Sequence, residues 1–451
     1  MKLISIFINV LSRIVLILII AFTISWSANT AVAQSEETLS GNTEIIPVAE
    51  GWARNSINTV IFRTNSVTTF QNKQYTAFYD SDGNVMAAKR ERGKKEWEIN
   101  KTGLQADVED AHNSISIAVD GNGLLHLSWG MHGQEILYAQ GKKPGSLEFD
   151  RQPTMTGKNE EAVTYPQFYR LPDGDLLFMY REGSSGRGNV MVNRYNIEDK
   201  EWKAIQHPLI DGEGERNAYV NGIAIDEKGG WHLSWTWRES WDVATNHDIM
   251  YAYSPDEGNS WETSKGERYV LPITLDNAEI AYKIPQGSEL INQTSMTVNS
   301  EGNPVIASYW KGQNDDAPQF YVVWNNGEEW KKEKVGNRTL DFSLSGGGTK
   351  RIPISRPQII AGEKGKVHLI FRDFERGGGI SIAASEGSDY SKWSVNDIYQ
   401  ESVGLWEPTL DSQAWKKHRE LYLFVQNVGQ GDGETLEDIA PQEIFLLKWR
   451  P

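Results

Sequence analysis

Acid–base chemistry at neutral pH is most often carried by histidine, and three of this chain's eight fall in one stretch, DAHNSISIAVDGNGLLHLSWGMH, residues 110–132. His126 has counterparts at the same place in two similar segments, His232 in HLSW and His368 in HLIF. A histidine that recurs at a fixed place in a repeat is scaffold. His112 and His132 have no such counterpart, which makes them the candidates for chemistry. Tyr165, Arg181, Tyr219, Arg238, Asn292 and Arg356 occupy equivalent strand ends in other repeats, with Arg63, Trp406, Lys311 and Arg372. Together these positions predict a rim that is cationic and aromatic and free of Asp and Glu. Such a rim suits a flat anion: Arg pairs bidentately with a carboxylate or sulfate, and aromatic faces stack on sugar rings. The chain has no cysteine, and HExxH, P-loop and G-x-S-x-G motifs are absent. Paired carboxylates of the glycosidase kind are not expected at the rim either. One reaction uses His, Tyr and Arg together, the β-elimination of a uronic acid. Arg neutralises the carboxylate and so acidifies the C5 hydrogen, a neutral base removes that proton, and an acid protonates the leaving oxygen at C4.

These residues must be positioned by a repeat. Seven β-rich segments end in a shared aromatic, at Phe78, Trp129, Tyr180, Trp235, Tyr309, Phe371 and Phe424, separated by 51, 51, 55, 74, 62 and 53 residues. An Asp/Asn-Gly type of turn and another apolar strand precede most of them, and two further strands follow. The fourth strand is marked by a bulky residue, as in EWEINKT, EWKAIQ, WETSKG and EWKKEKV. The pattern predicts an all-β chain, a seven-bladed β-propeller with four-stranded antiparallel blades. The seventh copy lacks a fourth strand, and TEIIPVA near residues 43–49 is expected to supply it and close the ring. In such a blade the start of the innermost strand and the end of the next emerge on one face, which gathers the rim residues at one mouth. SPDEGNSW, residues 254–261, reads as an Asp box, a hairpin turn that reports fold and not catalysis. The long interval before Tyr309, with RYVLPITLDNAEIAYKIPQGSEL, is expected to wall a cleft.

Residues 1–33 combine Lys2 and Arg13, an apolar run and the small residues Ala31-Val32-Ala33, the pattern of a signal peptide. Its strongly apolar part is shorter than the roughly 20 residues of a spanning helix, so stable membrane insertion is not expected. Residues 34–451 then form a single catalytic propeller, secreted or periplasmic and monomeric. The net charge of −16 argues against nucleic acid as a partner, though a local ring of Arg and His can still hold an anion.

The stretches DAHNSISIAVDGNGLLHLSWGMH, VTYPQFYRLPDGDLLFMYREGSSGRGNVMVNRY and HLSWTWRESWDVATNHDIMYAYSPDEGNSW resemble the BNR-repeat family that contains the propeller-type ulvan lyases. The resemblance covers roughly residues 50–450. It implies cleavage of ulvan, a sulfated rhamnose and uronate polymer, by β-elimination. His112 and His132 match two active-site histidines of those lyases, Tyr165 and Arg181 match a Tyr and an Arg, and Tyr219 a further Tyr. By that analogy His112 and Tyr165 are the acid–base pair, either of which takes the proton. Arg181 neutralises the carboxylate, while His132, Tyr219, Arg238, Asn292 and Arg356 bind or position. The chemistry requires no cofactor. Some relatives hold a structural metal through Cys, which this chain lacks; a structural metal with other ligands stays open, and His247 in TNHDIMYAYS reads as a ligand or, better, as a turn residue. Two other readings are a rhamnosidase that hydrolyses rhamnose–glucuronate linkages on the same scaffold and a non-catalytic propeller that binds acidic glycans. A sialidase is a weaker fit, with one clear Asp box.

Overall fold

A computed structural model describes residues 43–451; the expected signal peptide lies outside them. No helix among the described residues is long and apolar enough to cross a membrane. Almost all regular structure is antiparallel sheet. Four-stranded runs cover residues 67–105, 116–152, 163–210, 217–282, 295–335 and 358–399, and the third and fourth are joined by a single parallel bridge between Gly188 and Asn217. A last sheet consists of Leu421–Gln426, Gln442–Trp449 and Thr43–Gly51, the N-terminal strand pairing antiparallel with the C-terminal one from Thr43 opposite Trp449 to Gly51 opposite Gln442.

The local reasons for this repeat are visible in its turns. Asp120, Asp226 and Asn299 each accept backbone N–H groups from the second and fourth residues beyond them, which closes a tight hairpin between a first and a second strand, and Asp80 does the same between the second and third strands of the first unit. Asp and Asn favour this self-capping geometry, and the glycines at 123 and 229 take the positive φ it needs. The second strand then buries the shared aromatic, from Phe78 through Phe424, and these side chains are at most 4% exposed. First strands of successive units lie against one another, as Ser116–Val119 does beside Val163–Arg170 and Ser295–Val298 beside Gln358–Ala361.

The last unit departs from this pattern. Its first strand is reduced to one bridge, Leu410 to Leu423, followed by the helix Ser412–His418 packed on Val67–Phe70. Asp411 caps that helix through the Ala414 N–H. The same buried carboxylate accepts from the Thr69 N–H, the Thr69 hydroxyl and the Gln74 amide, so it stitches the last unit to the first.

Two expectations need correction. WETSKG is not a fourth strand; the bridge from Glu262 to Tyr253 ends at once, and Glu279–Tyr282 completes that sheet. The apolar insertion therefore supplies an outer strand, and Ile273 bridges to Ile210 on the neighbouring unit, so this segment lines sheet edges and not a cleft. The Asp box behaves as a turn, Asp256 accepting from the Ser260 N–H and hydroxyl while Trp261 is buried.

Candidate active site

The scaffold histidines explain themselves by repetition. His126 bonds the Tyr138 hydroxyl at 2.7 Å and Asp120 at 3.3 Å; His232 bonds Tyr251 at 2.7 Å and Asp226 at 3.3 Å. Both are buried links between a turn carboxylate and a third-strand tyrosine. His368 lies edge-on to Trp415 and Trp449, and burial lowers its pKa to about 4. His112 and His132 differ from all three. Their rings stack at 4.1 Å between centroids and 19° between planes.

One carboxylate holds this pair. Asp110 accepts from His112 Nδ1 at 2.8 Å on one oxygen and from His132 Nδ1 at 2.6 Å on the other, and Oδ1 also accepts the His112 backbone N–H. An ionised carboxylate can only accept, so both Nδ1 atoms carry hydrogen and, in the neutral rings, both Nε2 atoms keep a lone pair. Burial works against the Asp110 charge, but the two imidazole bonds outweigh it and hold its pKa far below the usual carboxylate range. Burial lowers the pKa of His112, with His132 adding to the effect and Asp110 opposing it. His112 is therefore neutral at neutral pH. Glu434, from the far end of the chain, approaches His112 Nδ1 at 3.3 Å and accepts the Ala111 N–H.

Asp110, His112 and His132 also form a donor set that a transition metal accepts. The nearly parallel stack fits poorly, because one ion cannot lie in the planes of two rings stacked 4.1 Å apart. The two nitrogen–oxygen separations fit hydrogen bonds instead.

Tyr165 is aimed into the site by an irregular backbone. It stands inside the strand Val163–Arg170, yet has φ 58°, and pairing with the next strand shifts between Thr164 and Gln167. A bulky residue at positive φ costs on the order of 1–3 kcal/mol, and such a bulge redirects a side chain. The result places Tyr165 at 5.9 Å from His112, 5.0 Å from Phe62 and 6.1 Å from Tyr219, all between ring centroids. The Arg181 guanidinium lies over Tyr165 at 5.0 Å and that of Arg238 over Tyr219 at 5.1 Å. Thr164 joins the parts, its hydroxyl accepting from the Gly133 N–H beside His132 and from Arg181 Nη2.

The two tyrosines diverge electrostatically. Burial, then the neighbouring Tyr219, push the Tyr165 phenol well up, against Arg181. Burial also opposes ionisation of Tyr219, but Arg238 and Arg181 outweigh it and hold that phenol below its ordinary value. Arg181 Nε and Nη1, Arg238 Nε and Arg356 Nε are buried without a protein acceptor. Unpaired buried cationic donors are costly, and an anionic ligand would relieve that cost.

The structure thus gathers His112, His132, Tyr165, Arg181, Tyr219 and Arg238. Arg356 borders them through Phe62, 5.7 Å from its guanidinium, but is paired with Glu407 at 2.7 Å. Asn292 does not face the cluster through any hydrogen bond. It accepts from Asn246, and its neighbour Gln293, at φ 55°, lines the small pocket with Tyr165, Arg181 and Tyr219. Arg63 and Arg372 are wholly engaged with backbone carbonyls, and Lys311 pairs with Asp341. The expected absence of acidic groups fails, since Asp110, Glu407 and Glu434 all stand beside the cluster. His247 is a bridging ion-pair residue, 2.9 Å from Glu239 and 3.1 Å from Asp248, and these contacts raise its pKa against burial. A large cavity, about 990 Å³, opens at the other ends of the same strands, beside Arg170, Ile225 and Ala361, and is lined in part by scaffold His232.

Fold and site together define an all-β repeat protein that holds unpaired guanidiniums beside a carboxylate-oriented histidine pair and two tyrosines. The chain belongs to the BNR repeat-containing family, whose model matches residues 73–338. Similar proteins include an ulvan lyase, long isoform, of Alteromonas sp, 24% identical over 58% of this chain and 33% of the relative. An ulvan lyase, short isoform, of Alteromonas sp. (strain LOR) is 26% identical over 43% of this chain and 47% of the relative. The chain thus spans about a third of the long-isoform relatives it matches and about half of the short one. Among solved structures, a PL25 ulvan lyase bound to -[GlcA(1-4)Rha3S]- has a TM-score of 0.63 at 13% identity, covering 85% of this chain and 96% of its own. Polysaccharide lyase Uly1 has a TM-score of 0.64 at 16% identity, covering 92% and 99%. These likenesses establish the fold.

Proposed function

We propose that the protein is a secreted, monomeric polysaccharide lyase that cleaves ulvan, or a closely related sulfated rhamnose–uronate polymer, by β-elimination on a seven-bladed propeller. The pairing of Thr43–Gly51 with Gln442–Trp449 and the Asp411 stitch support closure of the ring. Ulvan lyases among both its sequence relatives and its structural neighbours support the substrate class.

The observation that carries the reading is the clustering of His112 and Arg181 around Tyr165, the first 5.9 Å from its ring and the second 5.0 Å. Arg181 has two buried N–H donors free for the uronate carboxylate, and pairing there stabilises the enolate-like charge that develops as the C5 proton leaves. The lowered pKa of His112 favours it as the base, its Nε2 lone pair taking that proton. The C4–C5 double bond forms as the C4–O bond breaks. Tyr165, kept protonated by burial, is the acid that donates to the departing oxygen. Asp110 holds the His112 tautomer and stabilises the imidazolium that forms. No step calls for a metal. Incubation with purified ulvan tests this directly: elimination yields an unsaturated uronate that absorbs in the ultraviolet, whereas products heavier by one water and without that absorbance would mean hydrolysis.

A further inference from the structure

Trp241 is 64% exposed, whereas tryptophan is highly buried on average. It stands in the turn after the strand Trp231–Arg238, and its carbonyl accepts from Arg238, whose guanidinium covers Tyr219. The Trp241 backbone is therefore anchored at the edge of the cluster assigned above to the reacting sugar.

Its surroundings are built and rigid. Asp242 accepts the N–H groups of Ala244 and of Gly346, and the Val243 N–H returns to the Gly346 carbonyl, so the turn is clamped to the loop around residues 343–351. That loop passes the indole at Gly347, where a Cβ would lie 2.9 Å from Trp241 Cε3. On another side the hairpin tip at Gly186, φ 75°, meets the Ser240 backbone, where a Cβ would lie 3.0 Å from the Ser240 carbonyl carbon. Gly347 lets backbone pass the indole without a side chain competing for its ring, and Gly186 packs on the backbone that carries it. The same loop continues to Thr349, which donates to Glu434, the residue beside His112. Next to Gly186, Arg187 is exposed and pairs with no carboxylate among the described residues.

We propose that Trp241 is a stacking platform for a pyranose ring of the anionic polymer that flanks the reacting uronate, with Arg187 and Arg238 supplying cationic surroundings suited to a sulfated chain. This rests on the polysaccharide reading above. An exposed indole whose Cε3 and Cζ3 lie against the Gly347 backbone offers an apolar face to solvent, and the apolar face of a pyranose is its complement.

The test uses the full chain in two arms. In the first, Trp241→Ala raises KM for ulvan about three- to tenfold, the range given by the energy of a ring contact, and Trp241→Phe recovers most of the loss. In the second, affinity for ulvan is measured calorimetrically in His112→Ala with and without Trp241→Ala, and the double variant binds more weakly by the same factor. Equal affinity in the second arm overturns the platform. A Phe variant as weak as the Ala variant overturns stacking in favour of an indole N–H bond. Absence of cleavage by the wild type overturns the lyase reading alone, since the binding arm still reports on Trp241.

Discussion

Asp110→Asn is the substitution that most sharply probes the site. In the wild type each carboxylate oxygen takes one imidazole N–H, at 2.8 Å and 2.6 Å. An amide of the same shape keeps one acceptor and turns a donor toward the other ring. If that ring is His112, Nδ1 must become the acceptor, its hydrogen moves to Nε2, and the lone pair that takes the C5 proton is gone. If the amide flips, His132 is displaced and its stack with His112 loosens. In both cases the imidazolium formed during proton abstraction loses the nearer of its two carboxylates and keeps only Glu434, 3.3 Å from Nδ1. A hydrogen bond to a charged group contributes about 1.5–3 kcal/mol, and converting a histidine-orienting carboxylate to an amide in a serine protease lowers kcat by about 10⁴. Two such bonds set the loss here at about 3–6 kcal/mol, or roughly 10²- to 10⁴-fold in kcat. Initial rates of ultraviolet absorbance on ulvan measure it. The charge of Asp110 raises the His112 pKa against burial, so its removal also moves the acid limb of the rate profile to lower pH. Activity within threefold of wild type, with that limb unmoved, would refute the orienting role.

In the wild type, His112 must be unprotonated to act, and its lowered pKa places the acid limb of kcat/KM below 6.5, with activity lost as pH falls through it; a limb above 6.5 contradicts the assignment. Tyr165→Phe is expected to abolish turnover with an unchanged circular dichroism spectrum, and Arg181→Ala to lower kcat more than it raises KM, because the carboxylate charge it meets grows in the transition state. Asp411→Ala removes one buried acceptor serving four donors, and should cost about 3–5 kcal/mol and lower the thermal midpoint by at least about 5 °C, while leaving KM unchanged in the folded fraction.

The repeat was legible because its cues are local. Aromatic spacing, Asp-Gly turns and the recurrent His126 and His232 report contacts within one unit, whereas His368, at the same repeat position, packs on Trp415 and Trp449 of the last unit. Antiparallel geometry predicted that His112, His132, Tyr165 and Arg181 gather at one mouth, while the bulge that aims the Tyr165 ring was not part of that pattern. What was not legible depends on contacts across units or on broken register. Asp110 looks like one more loop carboxylate two residues before His112, and nothing local shows that His132, 22 positions later, shares it. Glu434 reaches His112 only because the last unit lies beside the early ones. Asn292 was displaced by a single residue, since the left-handed backbone at Gln293 rotates the strand entrance and leaves Gln293 at the pocket. Arg372 sits at the expected strand end and Arg63 in the turn before Val67–Phe70, but both long side chains turn inward onto backbone carbonyls, those of Asn58, Ala77 and Ile115 for Arg63 and of Ile352, Pro353 and Trp406 for Arg372.

The central claim is that one uronate sits between His112, Tyr165 and Arg181. A crystal structure of His112→Ala soaked with a sulfated rhamnose–uronate oligosaccharide tests it most directly. The account predicts the uronate carboxylate on Arg181, with the Tyr165 hydroxyl within hydrogen-bond reach of the C4 oxygen. A uronate found in the large cavity at the opposite strand ends, with Arg181 untouched, would contradict it.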